Sequence, residues 1–124
     1  MSSTKPASVR LVRAGKVRAI GASDLKTWRI AKSLTVSRLN GWASYTAVQQ
    51  RYTYLRPVPA ADFGPQIFIG DEPKDLASST GTALVAYSVL LSGAYEKGIG
   101  TLPPQFAGAG VVAIEVKAQR TSEI

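Results

Sequence analysis

Cysteine and histidine are both missing from this chain of 124 residues, and the two absences remove a large part of protein chemistry. Disulfides, thiolate nucleophiles, iron–sulfur clusters, zinc fingers, HExxH sites and every Ser-His-Asp or Cys-His arrangement are excluded. Any reaction must draw on Tyr, Lys, Asp, Glu, Ser or a bound cofactor. Long hydrophobic runs are lacking too: the best, Ala83 to Leu91, is interrupted by Ser88 and falls well short of the ~18 to 20 residues that span a bilayer. No membrane partner is expected. The first 23 residues contain no acid and carry Ser and Arg, as a presequence does, but Gly15 and an expected strand at Val17–Ile20 interrupt any amphipathic helix there. The expectation is a cytoplasmic protein.

Acids are scarce in one half only. Residues 1–56 hold eleven Lys/Arg against the single acid Asp24, a local charge of +10, whereas residues 57–124 hold four bases and seven acids, a local −3. Such asymmetry suits nucleic acid or phosphate, and Trp28, Trp42, Tyr45, Tyr52 and Tyr54 would offer stacking surfaces. The plainer reading makes Lys26, Arg29 and Lys32 a solvated helix face with Trp28 as a core anchor, and nucleic acid is not the expected partner. Asp71, Glu72 and Asp75 sit at an expected helix start, where acids favour the positive end of the dipole, so no metal site is assigned. The glycines of GIG and GAGVV lack the strand and helix that a dinucleotide fingerprint requires. With 45% apolar and 19% charged residues, the chain has the composition of one folded domain.

Along the chain, residues 1–8 read as a flexible terminus, and Val9, Leu11 and Val12 as the end of a helix closed by Gly15. A strand at Val17–Ile20 is followed by a turn and helix cap at Gly21–Asp24. In LKTWRIAKSLTVSRL, Leu25, Trp28, Ala31 and Leu34 recur at helical spacing, and Asn40-Gly41 supplies the stop. A strand at Tyr45–Gln49 leads into RYTYLRPVPAADFGPQIFIG, whose prolines and glycines forbid a long regular element; a loop of that length is usually functional or disordered. Pro73 suits the first position of a helix over Lys74–Thr80, with Gly81 ending it. Thr82–Tyr87 is a continuous apolar run, as in a strand buried on both faces. Strands alternating with helices, without a hairpin signal, predict βαβ units and a parallel sheet. Polar Ser23, Gln49, Tyr87 and Ser88 all fall where such strands end, which is where parallel α/β folds bind ligands.

GKVRAIGASD at 15–24, GW at 41–42, AVQQRYTYLRP at 47–57, ALVAYSVLLSGAY at 83–95 and LPPQFAG at 102–108 together resemble the aldo-keto reductases, in one colinear run. The resemblance implies an α/β fold, a partial (β/α)8 TIM barrel. Residues 9–110 would supply about three parallel strands, the fifth to the seventh, with flanking helices, and 111–124 would be a divergent tail. It implies an oxidoreductase that transfers hydride between NADPH and an aldehyde or ketone. The family's catalytic Asp, Tyr, Lys and His lie on earlier strands, so no catalytic residue carries over and the chain alone is expected to be inactive.

The same resemblance assigns cofactor contacts. Ser23 and Asp24 match the pair that holds the nicotinamide carboxamide, Gln49 matches its partner, and Tyr87 matches the aromatic that stacks on the ring. Ser88, Leu90 and Ser92 match the segment along the pyrophosphate. Asp24 stands where the family usually has Asn; a carboxylate only accepts hydrogen bonds, and it adds negative charge beside a polyanion. With the 2′-phosphate clamp also missing, NADPH binding is expected to be millimolar or weaker. The alternative is a non-enzymatic fragment that docks, or self-associates, through its exposed sheet and edges.

Overall fold

The computed structural model of the protein describes residues 6–106. The divergent tail expected at 111–124, and most of the flexible terminus expected at 1–8, lie outside the described residues. Helix α1 spans Ala7–Arg13, containing the expected Val9, Leu11 and Val12, and buries Val9. Strand β1 (Ile20–Ser23), helix α2 (Thr27–Leu39), strand β2 (Tyr45–Arg51), helix α3 (Asp71–Thr80) and strand β3 (Ala83–Tyr87) follow. The three strands form one parallel sheet in the order β1-β2-β3. The fold is therefore α/β, with each pair of neighbouring strands joined through a helical crossover.

One sheet face is covered. Ala22, Ile30 and Val48 are buried together, with Leu25, Leu34, Leu76 and Leu84 packed around them. Because these side chains come from all three strands and from both α2 and α3, the two helices share a face, as right-handed crossovers between sequential neighbours require. The other face carries Ser23, Gln49 and Val85 in register, all three exposed, and among the described residues no helix covers them.

A second core stands at the carboxyl end of the sheet. Leu55, Leu91, Ala94 and Phe106 are buried there, with Phe63, Tyr95 and Leu102 packed against them. The proline-rich segment 52–70 is thus folded down rather than loose. Its return limb brackets the last residue of β2: the Arg51 N–H donates to Ile67 O at 2.9 Å and the Ile69 N–H to Arg51 O at 2.8 Å. This limb lies on the side of β2 that β1 has just vacated, since Arg51 faces Tyr87 of β3 on its other side.

Several expectations are corrected. The first strand is Ile20–Ser23, not Val17–Ile20, so Gly21, Ala22 and Ser23, read as part of a turn, belong to the strand itself, and only Asp24 of that stretch lies beyond it. Gly21 permits this. It sits at a register shift where an added Cβ would stand 2.9 Å from the Ala47 carbonyl oxygen. Neither Ser23 nor Asp24 caps α2, whose N-cap position is Lys26 and has no side-chain cap. Trp28 is 59% exposed, with the Arg29 guanidinium 5.2 Å from its ring, and Ile30 is the anchor at 1% exposure. Helix α2 starts two residues late, and Ile30 and Leu34, four residues apart, form its core-facing stripe, while Trp28 lies about a third of a turn around from Leu34. Pro73 is the third residue of α3, still within the first turn where its missing N–H costs nothing. Strand β3 is not buried on both faces: Val85 is 45% exposed, and Ala83 and Ala86 are exposed. Only β2 pairs with it among the described residues.

Candidate functional site

The period of two along a strand decides what reaches the open face. Ser23 pairs with Gln49, and Gln49 with Val85, so these three form one row across the sheet. The next row is Arg51 and Tyr87, also paired. Asp24 follows β1 directly, its N–H donating to Gln49 O at 3.1 Å. The structure therefore brings Ser23, Asp24, Gln49 and Tyr87 together at the carboxyl end of the sheet.

Asp24 is the centre of this group. Its φ of 51° is in the left-handed region, unusual for a residue with a side chain, and the turn sends its carboxylate across the sheet end. The Tyr87 hydroxyl donates to Oδ1 at 2.8 Å and lies 3.0 Å from Oδ2, while the Ile67 N–H donates to Oδ1 at 3.0 Å. One side chain thus ties β1 to β3 and to the return limb. The Tyr87 phenol is pushed up to about 12 by partial burial, by its hydrogen bond to Asp24 and by that carboxylate's charge, with the nearby Arg51 opposing. Tyr87 is accordingly a proton donor held neutral at physiological pH.

Ser88, Leu90 and Ser92 lie on the loop after β3, which enters a 3-10 turn at Leu91–Gly93. Ser88, Leu91 and Ser92 all have positive φ, at 58°, 47° and 54°. Non-glycine residues in this region are costly, and Asp24 after β1 and Ser88, Leu91 and Ser92 after β3 all bear that cost. Ser88 and Ser92 line an open cleft of about 480 Å³ together with Arg51, Lys97, Thr101 and Pro103. Leu90 does not line it and is 71% exposed.

Three polar residues of that cleft escaped sequence reasoning. Arg51 had a usable signal, since it is two residues beyond Gln49 and therefore on the same face. Its guanidinium stacks 4.9 Å from the Phe63 ring, and its NH1 group donates to Gln66 Oε1 at 2.8 Å. Lys97 and Thr101 had none, because short helical turns, α4 (Ala94–Lys97) and Ile99–Thr101, fold them back. Among the described residues no group of Asp and Glu side chains is placed to hold a metal ion, and no helix is long and apolar enough to cross a membrane. The chain matches no model of a known protein family, and no curated protein matches it.

Proposed function

We propose that this chain is a segment of an NADPH-dependent aldo-keto reductase, covering about three strands of a (β/α)8 barrel, and that its own residues form one wall of the cofactor site. The carrying observation is that Ser23, Asp24, Gln49 and Tyr87, distant in sequence, meet at the carboxyl ends of three neighbouring parallel strands. Ligands of parallel α/β folds bind there. Ser23 and Gln49 offer a hydroxyl and an amide to a carboxamide, and Tyr87 offers a ring held by its hydroxyl. Ser88 and Ser92 would face the phosphates, on a cleft with no carboxylate among its described lining residues. Asp24 fits less well, since its oxygens already accept from Tyr87 and Ile67 and it has no proton to donate.

The cofactor would supply the hydride; these residues would bind and orient it. The segment by itself holds no Asp, Tyr, Lys and His set, having no histidine at all. Purified chain with NADPH and 4-nitrobenzaldehyde is therefore expected to show no turnover above a blank without protein. NADPH titration, followed by Trp and Tyr fluorescence and corrected for cofactor absorption, tests the wall. Weak, saturable binding is expected, tightened by Asp24→Asn because a charge is removed and a donor gained. A tenfold change corresponds to ~1.4 kcal/mol, about the size of one hydrogen bond to a charged group. Binding that weakens in the Asp24→Asn form would refute the assignment.

The exposed face of β3, with Val85 45% exposed, and Val89 two residues beyond the strand, 42% exposed, favour one second reading. In it the chain is a non-enzymatic interaction module that pairs through this sheet. Concentration-dependent sedimentation without NADPH binding would support that reading against the first.

A further inference from the structure

The 59% exposure of Trp28 removes the reason for treating Lys26, Arg29 and Lys32 as a merely solvated helix face. By helical spacing Trp28, Lys32, Thr35 and Leu39 form the outer stripe of α2, opposite Ile30, and all four are exposed. The Arg29 guanidinium, 5.2 Å from the centre of the Trp28 ring, holds a cation against it. A large aromatic ring is thus presented outward, with a cation beside it and another one turn along the helix.

Helix α1 lies along one flank of α2. Between them is an open cleft of about 230 Å³, where Lys32 is the only charged residue among the described lining residues and Trp42 and Tyr45 supply two aromatic rings. The Arg13 guanidinium donates to Gly41 O at 3.5 Å, which ties the end of α1 to the turn that carries Trp42. Arg10 and Arg13 on α1, with Arg29 and Lys32 on α2, place four exposed cations on the two helices that wall the cleft. Among the described residues none of the four makes an ion pair. The acids stand elsewhere. Helix α3, which carries Asp71, Glu72 and Asp75, packs along the opposite flank of α2, where Leu34, Thr35 and Arg38 meet Leu76 and Thr80. Asp24 is held by Tyr87 and Ile67.

We infer that the α1–α2 face binds single-stranded nucleic acid, one base stacking on Trp28, a neighbouring base entering the cleft beside Trp42 and Tyr45, and phosphates lying on the four cations. Unpaired bases offer their faces to aromatic side chains, and a positive surface follows the backbone without regard to sequence. A duplex hides those faces. An anionic membrane would also attract the cations, but a helix lying in a membrane needs a continuous apolar face, and the outer stripe of α2 interposes Lys32 and Thr35 between Trp28 and Leu39. The inference is independent of the cofactor reading. Helix α2 stands on the covered face of the sheet, whereas Ser23 and Gln49 lie on the open one.

The test is fluorescence anisotropy of labelled oligothymidylate, of about 12 nucleotides, titrated with the full chain at low salt. Saturable binding is expected, weakening as salt rises, with quenching of tryptophan fluorescence and weaker binding of a duplex of the same length. Trp28→Ala is expected to weaken the single strand about 5- to 100-fold, and Trp28→Tyr to keep most of the affinity. Arg29→Gln and Lys32→Gln are each expected to flatten the dependence of log affinity on log salt by ~0.7. Circular dichroism shows whether Trp28→Ala folds, and if it does not, the two charge variants carry the decision. Lys74→Gln removes an equal charge from α3, away from the cleft. The inference is overturned if Lys74→Gln weakens binding as much as Lys32→Gln, if folded Trp28→Ala binds like the parent, or if polyphosphate of equal charge displaces the label as well as unlabelled oligothymidylate does. Phosphatidylserine vesicles that bind the chain when the oligonucleotide does not would also overturn it and assign the face to a membrane. None of these variants alters Ser23, Gln49 or Tyr87, so NADPH titration of the same proteins judges the cofactor reading separately.

Discussion

The two faces of the three-stranded sheet are built from alternate residues of the same strands, yet they have opposite characters. On one face Ala22 and Val48 are buried under α2 and α3; on the other, their immediate neighbours Ser23 and Gln49 are exposed. A single step along the backbone separates a residue that holds the fold from one that can only touch a ligand. The largest expected effect follows from this. Ile30→Ala removes the anchor of the covered face and is expected to destabilise by ~2 to 5 kcal/mol. Gln49→Ala is expected to stay within ~0.5 kcal/mol while weakening NADPH. Urea denaturation of both variants breaks the comparison if Gln49→Ala costs as much as Ile30→Ala.

Gly21 is where the rule of faces should fail. By alternation it belongs with Ser23 and Gln49, but the backbone of β2 approaches so closely that a Cβ has no room beside the Ala47 carbonyl. Since the obstacle is main chain and cannot swing away, Gly21→Ala is expected to destabilise by ~1 to 3 kcal/mol through local displacement of β1. A thermal melt unchanged from the parent would show that the register shift at Ile20/Gly21 is readily relaxed.

The strand order and the parallel direction were legible because the apolar segments alternate with helical ones and no tight hairpin turn separates them. The carboxyl-end group was legible for the same reason: Ser23 and Tyr87 terminate their strands, Asp24 follows the first, and Gln49 lies two residues short of the end of β2. What escaped the sequence came from two causes. A stripe at i+3 spacing drifts around a helix by about 60° per step at 3.6 residues per turn, so Trp28 leaves the face of Leu34 while Ile30, four residues before Leu34, stays on it and becomes the anchor. The second cause was the segment 52–70, whose prolines correctly forbade regular structure but gave no hint that Leu55 and Phe63 would join Leu91 and Phe106 in a second core. Arg51 acquired its place in the cleft, and its stacking on Phe63, through that loop.

The smallest expected effect sharpens the comparison at the point where the two regions meet, the Asp24–Tyr87 contact. A folded-state value raised from 10.0 to about 12 means that folding favours the protonated phenol. The resulting stability is whole below pH 10 and is lost as pH rises from 10 toward about 12. Alkaline titration followed by tyrosinate absorbance in the near ultraviolet should show a late step approaching about 12 from Tyr87. Tyr87→Phe is expected to delete that step. Asp24→Asn is expected to move it down toward 10, because the amide keeps an acceptor but removes the charge that opposes ionisation. A late step that survives Tyr87→Phe would belong to another tyrosine, and would mean that Asp24 does not hold the Tyr87 ring in solution.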